Sequence, residues 1–121
     1  MSKKILIAED DMFIATAYKT KLESADYEVI HATNGEEAMK ELAKDPPDLV
    51  LLDLLMPVKN GFDVLHEMKE DPALKDIPVI VLSNLGQNED VARCMQLGAE
   101  DFIVKTRLKF SDLLGDIAKL V

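Results

Sequence analysis

The stretch LVLLDLLMP, residues 49–57, runs four apolar residues into a carboxylate at Asp53 and then continues apolar. Four apolar residues in a row suit a strand covered on both faces, as in a parallel sheet. A buried strand that ends on a charge needs a use for that charge. Four more runs of this kind appear: ILIA (5–8), VIHA (29–32), VIVL (79–82) and FIV (102–104). Helical patterns separate them. Phe13, Ala17, Tyr18, Leu22 and Ala25 make one apolar stripe, and Ala38, Leu42 and Ala43 a second. Val64, Leu65 and Met68 make a third, Val91, Ala92, Met95 and Gln96 a fourth, and Leu113, Leu114, Ile117, Ala118 and Val121 a fifth. Thr33-Asn34-Gly35-Glu36-Glu37 reads as a helix start, a capping residue followed by acids. Strand and helix alternate five times, which predicts an α/β three-layer sandwich with right-handed crossovers.

The strand ends carry the chemistry. ILIA is followed by Glu9-Asp10-Asp11, LVLL by Asp53, VIVL by Ser83 and FIV by Lys105. In an open parallel sheet all strand C-termini lie along one edge, where ligands bind. Four of the five strands thus deliver an ionisable or hydroxyl group to that edge, and VIHA, the exception, belongs at the outside of the sheet. Glu9, Asp10 and Asp53 crowd negative charge into one cleft. Two like charges ~4 Å apart cost on the order of 4 kcal/mol at an effective dielectric near 20. One lysine does not neutralise that, whereas a hard divalent cation does. An oxygen-only site with open positions suits Mg²⁺, which keeps several waters and favours a phosphate co-ligand. No His/Cys cluster argues for zinc. Beside such a cation Asp53 has the chemistry of a nucleophile towards phosphorus, since carboxylates form acyl phosphates. Ser83, Lys105 and Mg²⁺ then supply one partner for each equatorial oxygen.

Composition narrows the class. The 121 residues are 48% hydrophobic with mean hydropathy +0.01, as expected of one globular domain spanning 1–121. The net charge of −9 disfavours direct binding of nucleic acid or anionic lipid by this chain. The lone Cys94 suggests a reducing compartment, and no apolar run approaches the ~18 residues of a membrane span. The opening MSKKILIAEDD turns acidic too soon for a signal peptide, so a cytoplasmic location with no membrane insertion is expected. His31 and His66 lack a nucleophile or metal partner at a recognisable spacing. Cys94 reads as a structural helix residue, and the acidic runs at 23–28 and 45–48 as solvated faces.

KILIAEDD, ATNGEEAM, PPDLVLLDLLMPVKNGFDVL, IPVIVLSN and GAEDFIVK, in this order and spacing, resemble the response-regulator receiver domains of two-component signalling, chemotaxis regulators included. The resemblance covers essentially the whole chain. It implies a flavodoxin-like (βα)5 doubly wound fold with strand order 2-1-3-4-5. It further implies that Asp53 accepts a phosphoryl group from the phosphohistidine of a sensor histidine kinase or phosphotransfer protein. By the same likeness Asp10 ligates Mg²⁺, Glu9 assists through water, and the Leu55 backbone carbonyl completes the protein ligands. Lys105 pairs with the phosphoryl group and Ser83 is drawn towards it. Phe102 then moves into the vacated space and alters the helix 4–strand 5–helix 5 face for a downstream partner. The alternative for Phe102 is a fixed core aromatic.

Three departures stand out. Receivers usually carry proline after the strand-5 lysine, with a cis bond; here Thr106 follows Lys105, and a cis bond costs a non-proline residue roughly 2.5–4 kcal/mol, so trans is expected. Leu55, Asn84 and Leu85 occupy positions that tune hydrolysis in the family, and two leucines there predict a long-lived phosphoryl-aspartate. No output domain follows in this chain, as in a stand-alone regulator or an excised receiver. Two other readings compete. An aspartate-nucleophile phosphohydrolase of the haloacid-dehalogenase type needs a second Asp where Leu55 stands, and a cap domain. An unphosphorylated interaction scaffold would have little use for Glu9, Asp10, Asp53, Ser83 and Lys105 together. The expectation is therefore a switch that catalyses only its own phosphorylation and dephosphorylation.

Overall fold

The computed structural model describes residues 2–85 and 87–121. Five parallel strands, β1 (Lys4–Ala8), β2 (Glu28–Ala32), β3 (Leu49–Leu52), β4 (Val79–Ser83) and β5 (Asp101–Val104), form one sheet in the order β2-β1-β3-β4-β5. This is the flavodoxin-like topology, with VIHA at an edge as expected. The helices are α1 (Met12–Ser24), α2 (Gly35–Lys44), α3 (Gly61–Glu70), α4 (Asn88–Gln96) and α5 (Phe110–Leu120).

Alternate residues of each inner strand feed two separate cores, because successive side chains leave a strand on opposite faces. Leu6, Ala8, Val50, Leu52, Val79 and Val81 pack with α2, α3 and α4 through Leu42, Val64, Leu65, Met68 and Cys94. Ile5, Ile7, Leu49, Leu51, Ile80 and Leu82 pack with α1 and α5 through Ala15, Leu22, Leu113 and Ile117. Burial on both faces explains why the inner strands are uniformly apolar.

Two helix faces differ from the sequence expectation. In α1 the inward residues are Ala15 and Leu22 with Tyr18, whereas Phe13 is 85% exposed and Ala17 faces outward. Residues 12–15 and 17–18 are nearly all apolar, so periodicity alone does not choose a face. In α4 the buried residue is Cys94, with Ala92, Met95 and Gln96 outside. A cysteine there acts as a small hydrophobe, and burial pushes its thiol up to about 11, which makes it inert. Ala43 and Ala118 are likewise exposed at the margins of their stripes.

The starts of α1, α2 and α3 follow the capping chemistry. Asn34 Oδ1 accepts from the Glu37 N–H, and Glu37 reaches back to the N–H and hydroxyl of Thr33. Asn60 caps α3 through the Asp63 N–H. Gly61 is required there for space: a Cβ would stand 2.2 Å from the Asp53 carbonyl oxygen. Absence of a side chain lets α3 begin directly against the end of β3. We expect Gly61→Ala to lower folding stability by about 2 kcal/mol or more in chemical denaturation, the overpacking cost of displacing backbone.

Candidate functional site

Four strand ends converge as the alternation predicts. Glu9 and Asp53 are 3% and 5% exposed, Ser83 is fully buried, and Asp10 is exposed. Carboxylate oxygens of Glu9, Asp10 and Asp53 all lie within 4.8 Å of one another. Lys105 Nζ donates to Glu9 Oε2 at 2.5 Å and to Asp53 Oδ2 at 3.0 Å. The lysine thus bridges two buried carboxylates, a contact that the sequence alone does not predict.

Backbone geometry fixes each group. The Asp53 N–H donates to the Ala8 carbonyl and the Glu9 N–H to that of Ala32, which locks both ends to neighbouring strands. The Leu55 N–H donates to Asp53 Oδ1 at 3.3 Å, so both carboxylate oxygens are oriented. Asp11 is not part of the acidic group; its Oδ1 accepts from the N–H groups of Phe13 and Ile14 and caps α1. Ser83 Oγ accepts from the Leu85 N–H at 3.2 Å, and among the described residues its own proton has no acceptor. The Lys105–Thr106 bond is trans, and residues 105–107 form a single 3-10 turn. Trans geometry still brings the ammonium to Asp53.

Electrostatics follow from burial. Desolvation pushes Glu9 above the ordinary carboxylate value, against the lowering effect of Lys105. Burial by itself pulls the Lys105 ammonium down, but its bonds to Glu9 and Asp53 outweigh this and hold it above its usual value. Three carboxylates to one ammonium leave net negative charge in a site whose donors are all oxygen. That set, Glu9, Asp10 and Asp53, fits a hard divalent cation.

Around the opening, Leu55 and Asn84 line the same cleft as Glu9, Asp10, Asp53 and Lys105. Leu85 does not; it is half-buried against the α2–α4 core. Phe102 packs half-buried on the same core. A second groove beside the cleft is lined by Phe13, Ile14, Ala17 and Tyr18 of α1 together with Asn84, Lys105 and Thr106. The sequence reading missed His31, whose Nε2 donates to the Glu9 carbonyl at 2.7 Å. Only the β1–β2 register reveals that contact. His66 lies on the outer part of α3, away from the cleft.

The chain has relatives among known proteins and spans less than half the length of the curated ones it matches. The chain is 39% identical over 103 residues to the probable transcriptional regulator ycf27 of Cyanophora paradoxa, covering 85% of this chain and 42% of that one. Among solved structures, the Mn²⁺-bound form of response regulator Rcp1 matches with 32% identity and TM-score 0.83, over 97% of this chain and 90% of that one. The phosphorylated cyanobacterial phytochrome response regulator RcpA matches with 34% identity and TM-score 0.84, over 98% and 91%. The family model of the response regulator receiver domain matches residues 5–117, nearly the whole chain, and the chain belongs to that family.

Proposed function

We propose that this receiver takes a phosphoryl group onto Asp53, with Mg²⁺ at Glu9, Asp10, Asp53 and the Leu55 carbonyl. One observation carries the reading: three carboxylates lie within 4.8 Å of one another, two of them bonded to a single ammonium, and a buried hydroxyl stands at the next strand end. The donor is the phosphohistidine of a histidine kinase or phosphotransfer protein. An Asp53 oxygen attacks phosphorus as the nitrogen–phosphorus bond breaks, and the electron pair leaves with the imidazole. Mg²⁺ supplies charge neutralisation for the phosphoryl oxygens, Lys105 pairs with one of them, and Ser83 donates its free proton to another. The divalent ion in the Rcp1 structure and the phosphorylated state of RcpA support this by likeness.

The reading extends to the output. As Ser83 moves towards the phosphoryl group, Phe102 takes up the space, which alters the α4–β5–α5 face where a downstream protein docks. The domain turns over no external substrate. An acidic cleft bordered by exposed apolar side chains, Phe13 and Leu55 at 85% and 57%, suits docking of a protein donor. In the test, a phosphorylated kinase core is mixed with the receiver and Mg²⁺, and the label is followed. Transfer to the receiver in one equivalent supports the reading; continuous phosphate release from unrelated esters would favour a phosphohydrolase instead.

Lifetime depends on the cleft mouth. Leu55 and Asn84 border it and Leu55 offers no group to orient an attacking water. We expect Leu55→Asn to speed loss of the phosphoryl group about tenfold, equal to about 1.4 kcal/mol of barrier, as read by intact mass against time. An unchanged decay would remove Leu55 from the account.

A further inference from the structure

The Glu9 backbone is held from two sides. Its N–H donates to the Ala32 carbonyl at 3.0 Å, and its carbonyl accepts from His31 Nε2 at 2.7 Å. Among the described residues no other donor reaches that carbonyl. Because the partner is a carbonyl, His31 must carry its proton on Nε2, which fixes the tautomer. The carbonyl belongs to the same planar unit as the Asp10 N–H, so whatever fixes one fixes the other. Asp10 is the exposed member of the acidic group and makes no side-chain bond among the described residues that would hold it in place. Glu9 is anchored independently through Lys105 and the Asp11 N–H. The orientation of Asp10 thus depends on the peptide that precedes it.

We infer that His31, at the end of the edge strand β2, is a positioning residue for the metal site: by gripping the Glu9 carbonyl it sets the Glu9–Asp10 peptide plane and aims the Asp10 carboxylate at the cation. The inference rests on the Mg²⁺ reading above. Hydrogen-bond partners one step out from metal ligands commonly contribute about ten- to a hundredfold to affinity. His31 acts through backbone, so the lower end applies. The residue comes from the one strand that sends no ionisable group to the cleft itself.

The test is Mg²⁺ titration by calorimetry of the wild type, His31→Val, His31→Gln and Asp10→Asn, with thermal unfolding of each in chelator. Valine suits an edge strand but removes the donor; glutamine returns an amide N–H at about the reach of Nε2. We expect His31→Val to weaken Mg²⁺ binding about tenfold, His31→Gln to recover most of that loss, and Asp10→Asn to lose more than either. Should His31→Val lower the unfolding temperature in chelator yet leave Mg²⁺ affinity at the wild-type value, the histidine is merely structural and the inference is overturned. If glutamine fails to rescue while folding normally, the hydrogen bond is not the agent and the inference also falls. A wild type that binds no Mg²⁺ overturns the metal reading itself, and this inference with it.

Discussion

Lys105→Met is expected to destabilise the metal-free domain by about 3 kcal/mol near neutral pH, while tightening Mg²⁺ binding and slowing phosphoryl transfer. Among the described residues the lysine is the one cation bonded to Glu9 and Asp53, and both carboxylates are almost wholly buried. Removing one partner of a buried ion pair leaves an uncompensated charge, at about 3–5 kcal/mol. Here protonation of Glu9 relieves part of the cost, which places the effect at the lower end. Glu9 already sits above its ordinary value of 4.5 through desolvation, and loss of the ammonium takes it higher. A carboxyl raised in the native state binds more protons there than in the unfolded chain. Stability of the variant should therefore fall as pH rises from about 4.5 through the raised native value. Mg²⁺ binds tighter because it no longer competes with the ammonium for the same oxygens, by about tenfold if about 1.4 kcal/mol of that competition is removed. Denaturation in chelator across pH, together with calorimetric Mg²⁺ titration, reads both effects. Equal stability of variant and wild type at all pH values would show that the ion pair carries no net weight.

Asp10→Asn and Glu9→Gln should move stability and function in opposite directions. Each removes one of three mutually repelling carboxylates. Pairs at ~4 Å repel by on the order of 4 kcal/mol at an effective dielectric near 20, and solvent at the exposed Asp10 reduces that. A gain of about 1–2 kcal/mol in metal-free stability is expected for Glu9→Gln, and less for Asp10→Asn. Mg²⁺ affinity should fall about a hundredfold in Asp10→Asn, since a neutral amide is a poor ligand for a hard cation. Such opposition of stability and function is what a strained site produces. If both variants were less stable without metal, the acids would be structural rather than functional.

How far the sequence led depends on which physical rule each element obeys. The inner strands could be located because burial on both faces leaves an unbroken apolar run; LVLL at 49–52 coincides with β3. The acids, serine and lysine that follow four of the five runs marked the functional edge, since a parallel sheet aligns every strand end. Helix faces were harder. In α1 nearly every early residue is apolar, so Phe13 was expected inside and stands outside; in α4 the buried residue is a cysteine flanked by less buried apolar neighbours. Lys105 was placed at the site, but its hold on Glu9 was not foreseeable, because it needs β1 and β5 at known separation. His31 was invisible for the same reason: its partner is a backbone carbonyl 22 residues away, set by register alone. Leu85 was expected at the mouth of the site, and two-residue spacing from Ser83 does not tell the mouth from the core.

The most direct measurement is the intact mass of the domain after incubation with a small phosphodonor, with Mg²⁺ or with chelator, for wild type and Asp53→Asn. Wild type should gain a single phosphoryl group with Mg²⁺ and almost none in chelator, and Asp53→Asn should gain none in either. A phosphoryl group that still appears on Asp53→Asn, or a folded, Mg²⁺-loaded wild type that never acquires one, would contradict the assignment of Asp53 as the acceptor.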